Sequence, residues 1–181
     1  SMVGLLPIIA CVTLDAVDVD KLSDFKSRMT WFVEHRPDLT TGFSWEIEDH
    51  HRTVRVFSLV NSQRLRRVLQ RMLDESEFFS PYGIRALSKH YASTPFEMDL
   101  DGHRHTVRYE PAESSTRMFG GNSNWRGPVW FPANYLLIEG LQRHGYFLGA
   151  NWKIECPTGS GRVMSLDEVA REIGHRLVSI F

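Results

Sequence analysis

Residues 131–145, "FPANYLLIEGLQRHG", set the strongest condition on what this chain can fold into. Pro132 suits the first turn of a helix, because its ring fixes φ and its missing N–H would have no intrahelical partner there. Tyr135, Leu136, Leu137, Ile138 and Leu141 then put apolar side chains around much of the circumference, and Gly145 offers a left-handed C′ residue. A helix of this kind is stable only when covered on several sides, so other elements must assemble around it. Phe131 is a poor N-cap, which leaves the preceding loop to satisfy the helix start.

Three further segments carry helical periodicity. Residues 20–35 place Leu22, Phe25, Met29 and Phe32 on one face, with Asp20 or Ser23 as N-cap and a stop before Pro37. After Asn61 or Ser62, Leu65, Val68, Leu69 and Met72 recur at i, i+3, i+4 and i+7. The opposite face holds Arg64, Arg66, Arg67 and Arg71, but Asp74, Glu75 and Glu77 follow at once, which favours a solvated helix face over a phosphate-binding stripe. Near the C-terminus Ser165 and Glu168 form a capping box ahead of Leu166, Val169, Ile173, Leu177 and Ile180, a stripe that runs to Phe181 without a stop signal.

Two hairpins interrupt the helices. In residues 96–109, "FEMDLDGHRHTVRY", Asp101-Gly102 supplies the two positive-φ positions of a type I′ turn. The implied register opposes Leu100 with His103, Met98 with His105, Phe96 with Val107 and Asp99 with Arg104. His103 and His105 share a strand face, but no third ligand is indicated, and a partly packed hairpin is the plainer reading. "NWKIECPTGSGRVMSL" reads as a strand, a glycine turn and a return. Residues 40–60 alternate in places like strands and read equally as an irregular connection, so they stay unassigned. With the N-terminal segment as a fifth helix, the pattern describes one mainly helical unit over residues 1–181.

The 21 Lys and Arg against 22 Asp and Glu leave no overall field for DNA, RNA or an anionic membrane. Cys11 and Cys156 cannot make a disulfide framework, and the chain reads as cytoplasmic. The N-terminal "SMVGLLPIIACVTLDA" lacks the basic flank of a signal peptide and is too short to span a bilayer, so it is expected as a buried core helix.

Ahead of the apolar helix, "FGGNSNWRGPVW" couples a glycine-rich approach to Trp125, Arg126 and Trp130. Tryptophan offers a flat apolar face that matches the axial C–H face of a sugar ring, and the arginine fork can hold hydroxyls or a carboxylate. Core packing is the competing role, since tryptophan is usually well buried.

"NWRGPVWFPANYLLIEGLQ" resembles the tryptophan-rich signature of glycoside hydrolase family 63 and its bacterial relatives, the mannosylglycerate-hydrolase-like glucosidases. "SPYGIRALS" at 80–88, "YEPAES" at 109–114 and "ECPTGSG" at 155–161 agree with the same group, in order along nearly the whole chain. The resemblance implies an (α/α)6 barrel of six helical hairpins with a sugar pocket at one end, here partial and with inserted β-hairpins. It also implies inverting hydrolysis of an α-glycosidic bond. By position it makes Trp125, Arg126 and Trp130 pocket residues, with Tyr82 and Arg85 beside them; no cofactor or metal is called for.

Inverting hydrolysis needs two carboxyl groups roughly 6.5–9.5 Å apart, one as acid and one as base. The resemblance places the acid on a segment upstream of this sequence and the base on one downstream. Glu46, Glu48, Asp49, Glu110 and Glu113 are the nearby carboxylates, and none is nominated as catalytic; for Glu113, closest to the tryptophan loop, a structural ion pair is the commoner fate. Twelve helices at roughly 20 residues each exceed this chain. The expectation is therefore a C-terminal-half fragment of an inverting α-glycosidase that keeps part of the sugar pocket, lacks the acid and base, and self-associates through exposed apolar edges. The alternative is a non-catalytic carbohydrate-binding or assembly module that completes a barrel with another chain.

Overall fold

The computed structural model describes residues 1–40, 44–49, 52–117 and 123–181, with the backbone alone at 44–49 and 52–55. Its centre is a pair of packed helices, α5 (Phe131–Leu148) and α6 (Leu166–Val178). Leu137 and Leu141 of α5 and Leu166, Val169, Ile173 and Leu177 of α6 are buried in one core cluster. The Ser165–Glu168 capping box is formed in full, with Ser165 accepting from the Glu168 N–H and Glu168 accepting from the Ser165 N–H. A third helix, α4 (Ser62–Met72), adds Leu65, Leu69 and Met72 to the same core; it starts at Asn61, whose side chain accepts from the Arg64 N–H at 2.8 Å.

The basic face of α4 is held locally. Arg66 stacks over Trp152, 4.4 Å from the ring centroid, and donates to the Lys153 carbonyl, while Arg71 pairs with Glu77.

Several expectations are corrected. The N-terminal apolar run divides into a 3-10 helix (Met2–Ile8) and a strand, β1 (Cys11–Asp15). Pro7 cannot donate to an α-helical ladder, so the helix gives way to β pairing. Met2, Leu5 and Ile8 are buried in the core all the same, and Cys11 is 1% exposed. Gly145 lies inside α5, and the helix continues to Leu148, where Gly149 at φ 76° ends it. Gly145 is needed for close approach: a Cβ there would sit 3.3 Å from the Leu166 Cβ at the start of α6. The last helix ends at Val178 and leaves Ile180 half exposed. On the outer side of α5, Tyr135, Leu136 and Tyr146 are exposed, so the helix is covered on fewer sides than its composition suggests.

The unassigned region 40–60 contains a hairpin. Strands β2 (Ser44–Asp49) and β3 (Arg52–Ser58) pair antiparallel, and β1 adds on the other side of β3 to give the order β1-β3-β2. This sheet packs on α5 through Cys11, Val56 and Phe147. Between β1 and β2, α1 (Ala16–Asp20), α2 (Ser23–His35) and α3 (Pro37–Thr40) form a helical segment, with α1 packed on the sheet. The predicted helix over 20–35 is present, but its first turn has no side-chain cap and none of its residues is buried.

Among the described residues there are also three two-stranded pieces: β4 (Phe79–Ser80) with β5 (Gly83–Ile84), β6 (Phe96–Leu100) with β7 (His103–Val107), and β8 (Lys153–Glu155) with β9 (Val163–Ser165). The β6–β7 hairpin has the register read from the sequence, with Asp101 at φ 51° and Gly102 at φ 75° in its turn. Its ion pair is diagonal, Arg104 to Glu97 at 3.1 Å. The architecture is therefore mixed, with three core helices and small antiparallel sheets, where a mainly helical unit was expected. No closed ring of helices forms among the described residues; the α5–α6 pair is compatible with part of a helical glycosidase fold.

His144 sits inside this core, 1% exposed, between α5 and the end of the 3-10 helix. Burial pushes it down to about 4 from its ordinary 6.5, against the opposing effect of a hydrogen bond with the Ile8 backbone. Because the unfolded chain takes up this proton first, the contribution is constant above about pH 6.5 and declines as pH falls from 6.5 toward 4. Urea unfolding should lose on the order of 3 kcal/mol from this group across that window, and His144→Gln should flatten that part of the profile.

Candidate functional site

The amide of Asn134, in the first turn of α5, organises the loops. It is fully buried; its Oδ1 accepts from the Ile84 N–H at 2.7 Å, and its Nδ2 donates to the carbonyls of Ile84 at 3.0 Å and Trp130 at 2.8 Å. Trp130, the cap residue of α5, offers no side-chain acceptor; its carbonyl, already the acceptor for the Asn134 N–H, is tied through the same amide to the turn at Ile84. Next to it Arg85 and Val129 form an antiparallel bridge, and the Ala86 N–H donates to the Pro128 carbonyl at 2.9 Å. The segment 80–88 is thereby laid against 125–130. Gly83, at φ 119°, fits because a Cβ there would come within 3.0 Å of both Asn134 Oδ1 and a Leu177 methyl.

A third stretch joins from the far side of the hairpin. The Tyr109 ring lies against Gly127, which has φ 129° and no room for a Cβ. The Glu110 N–H donates to the Arg126 carbonyl at 2.7 Å. Arg126 is 1% exposed; its Nη1 donates to Glu110 Oε2 at 2.6 Å and its Nη2 to Thr116 Oγ1 at 2.7 Å. Glu110 is held below the ordinary carboxylate range by the Ser115 hydroxyl first and by Arg126 as well, while burial works in the opposite direction. It is an ionised partner for Arg126 at neutral pH.

Two cavities flank these segments. One of about 690 Å3 is lined by Tyr82, Arg85, Tyr109, Gly127, Pro128 and Val129 among others. The other, about 480 Å3, is lined chiefly by Leu87, Tyr91, Phe96, Val107 and Trp125. No aspartate or glutamate is among the lining residues of either. The rings of Trp125 and Trp130 pack on one another, with centroids 4.6 Å apart and planes tilted by 54°.

The five residues singled out from the sequence thus lie close along the chain fold but in different settings. Tyr82 is exposed and Arg85 is 6% exposed, and both line the larger cavity. Trp125 is 40% exposed and lines the smaller one, and Trp130 is half-buried behind it. The fork of Arg126 is directed to Glu110 and Thr116. Sequence reasoning missed Tyr109 as a wall residue; its place directly before Glu110 in "YEPAES" was the available signal.

The remaining residues of interest lie elsewhere. "ECPTGSG" adds no residue to the lining of either cavity: Thr158 bonds to Leu73 and Gln70 at the end of α4, and Glu155 accepts from the Gly159 and Gly161 N–H groups. Glu113 is exposed and outside both cavities. The side chains of Glu46, Glu48 and Asp49 and the glycine-rich residues 119–122 lie outside the described residues. Among the described residues no three metal-binding side chains gather.

The family model described as Mannosylglycerate hydrolase MGH1-like glycoside hydrolase domain matches residues 32–177. The uncharacterized protein YMR196W of Saccharomyces cerevisiae is 46% identical over 182 residues, covering 100% of this chain and 17% of that protein. A Schizosaccharomyces pombe protein named "Probable mannosyl-oligosaccharide glucosidase" is 31% identical over 86 residues, 46% of this chain and 7% of its own length. The chain therefore spans a small part of the curated relatives it matches. No solved structure matches it.

The contact between Tyr109 and Gly127 gives a direct check on this geometry. Gly127→Ala combines an unfavourable φ with a Cβ inside the tyrosine ring, and should destabilise the chain by about 1–3 kcal/mol while shifting the tryptophan fluorescence of the neighbouring Trp125. Urea unfolding and emission spectra of the variant and parent would measure both.

Proposed function

The chain belongs to the MGH1-like glycoside hydrolase domain family, and on that premise we propose that it supplies one wall of the sugar pocket of an inverting α-glycosidase. The observation that carries this reading is the convergence of three family-like stretches, 80–88, 109–114 and 125–130, on one cavity of about 690 Å3. That volume lies in the range of small-molecule sites, about 300–1,000 Å3. Tyr82 and Tyr109 offer aromatic faces there, and Trp125, backed by Trp130, offers another in the adjoining cavity. Arg126 acts indirectly in this reading, holding the tryptophan loop to Glu110.

The proton-moving pair is assigned to other polypeptide. Inversion requires two carboxyl groups facing each other across the bond at roughly 6.5–9.5 Å, and the described walls offer none. Glu110, ionised and tied to Ser115 and Arg126, is unsuited to the role of acid. The polypeptide in hand should accordingly bind a sugar and hydrolyse nothing at a useful rate.

Calorimetry with methyl α-D-glucopyranoside tests this: weak binding is expected, reduced about tenfold by Tyr82→Ala or Trp125→Ala, with no release of nitrophenol from 4-nitrophenyl α-D-glucoside. Absence of binding by any α-glycoside, or turnover abolished by Glu113→Gln, would contradict the assignment.

Self-association is the second part of the proposal. On α2 the residues Phe25 and Phe32, with Leu22 before them, keep their helical stripe but are 38–58% exposed, and a stripe of this kind is stabilised by a partner. Sedimentation velocity should show a concentration-dependent dimer that Phe25→Lys with Phe32→Lys abolishes; a monomer at every concentration would count against it.

A further inference from the structure

Tyr82 is more than half exposed, so packing around its ring does little to set where it stands in the wall of the larger cavity. Its position follows from the backbone of Ser80, Pro81, Tyr82 and Gly83, the turn that joins β4 to β5. Within that turn the Ser80 hydroxyl donates to the Gly83 carbonyl at 2.7 Å and accepts from the Tyr82 N–H at 3.0 Å. Ser80 is buried, and its own carbonyl is held from outside the turn.

The holding group comes from the last turn of α6. Arg176 Nη1 donates to the Ser80 carbonyl at 3.0 Å, and Ser179, one turn further on, lies against the Pro81 carbonyl with its hydroxyl 3.4 Å away. The Arg176 guanidinium is oriented by several partners at once. Its Nε donates to Glu172 Oε1 and its Nη1 reaches Glu75 Oε1, each at 3.0 Å, and it stacks over the ring of Phe79, the residue before Ser80, 3.6 Å from the centroid. Arg162 pairs with the other Glu172 oxygen at 3.2 Å, and its Nε donates to the Cys156 carbonyl at 3.1 Å. The stretch "ECPTGSG", which adds no residue to either cavity, thus reaches the Tyr82 turn through two arginines and one carboxylate. With the Arg176 and Glu172 side chains only 15% and 23% exposed, these contacts are largely shielded from water. A planar fork can serve a carboxylate at Nε and a carbonyl at Nη1 together, which a lysine ammonium cannot do in the same geometry.

We infer that Arg176 is a positioning residue, which fixes the turn that carries Tyr82 and through Tyr82 sets the affinity of the cavity for a sugar. The inference rests on the reading of the cavity as a sugar site and adds the group, itself outside the cavity, that keeps one aromatic wall in place. Binding groups work when held within about 0.5 Å of their productive place by such supporting contacts.

The test uses the full chain labelled with 3-fluorotyrosine. Of the signals of its five tyrosines in fluorine NMR, that of Tyr82 is the one lost in Tyr82→Phe. Arg176→Met should move that signal and leave those of Tyr135 and Tyr146 in place. Calorimetry with methyl α-D-glucopyranoside should show a loss of about tenfold for Arg176→Met, matching Tyr82→Ala, with no further loss when the two are combined, because both act through one ring. Arg176→Lys, which keeps the charge and loses the fork, should fall between parent and Arg176→Met. Should Arg176→Met fail to fold by circular dichroism, Arg176→Lys carries the test, and must both move the Tyr82 signal and weaken the sugar. An unmoved Tyr82 signal, an unchanged affinity, or losses that multiply in the double variant overturns the positioning role and leaves the sugar site standing. A parent chain that binds no α-glycoside overturns the sugar reading, and the role of Arg176 in affinity falls with it.

Discussion

The arrangement of the loops depends on one buried amide. Asn134 closes both hydrogen bonds of Ile84 and one of Trp130, so the turn at 83–85 and the approach to α5 are parts of one connected unit. Each buried backbone group left unpaired costs about 1–3 kcal/mol, so this contact outweighs most single contacts on the surface of the site. α5 starts without an N-cap side chain, and Pro132 removes one donor that would otherwise need a partner there.

Around that unit the cavity walls are built by close backbone approach. Gly83 and Gly127 adopt positive φ where a side chain would collide, and their neighbours Asn134, Leu177 and Tyr109 occupy the space. The Glu110–Arg126 pair then closes the outer edge. A buried pair of this type adds little net stability against an apolar substitute, but losing one partner is costly because the other charge remains. Its effect is to hold the tryptophan segment in one register against 109–116. The α5–α6 core below carries the apolar burial, and the loops above carry the polar contacts.

Much of this was legible in the sequence where a local signal has one physical meaning. The Ser165–Glu168 box and the Asp101-Gly102 turn fix their elements because few other conformations satisfy those residues, and both are observed. The α4 stripe is similar. Where the signal was ambiguous the outcome was decided by tertiary pairing: β1 and the β2–β3 hairpin exist because three short segments pair with each other, which no single segment shows alone. Gly145 misled because glycine serves equally as a helix end and as a contact point between helices, and only the position of α6 decides. For the candidate site, the stretches 80–88, 109–114 and 125–130 are brought together around one cavity. That 80–88 and 125–130 touch depends on Asn134, whose role as a bridge over 50 residues has no local signature.

The charge of the larger cavity constrains whatever chemistry is done beside it. A guanidinium near a carboxylic acid favours the ionised form and lowers its pKa, whereas the general acid of a glycosidase must stay protonated near neutral pH. A carboxylic acid brought next to Arg85 from other polypeptide would therefore ionise more readily, which suits a base better than an acid. Arg85 itself sits on a backbone tied down at Ile84, Val129 and Pro128.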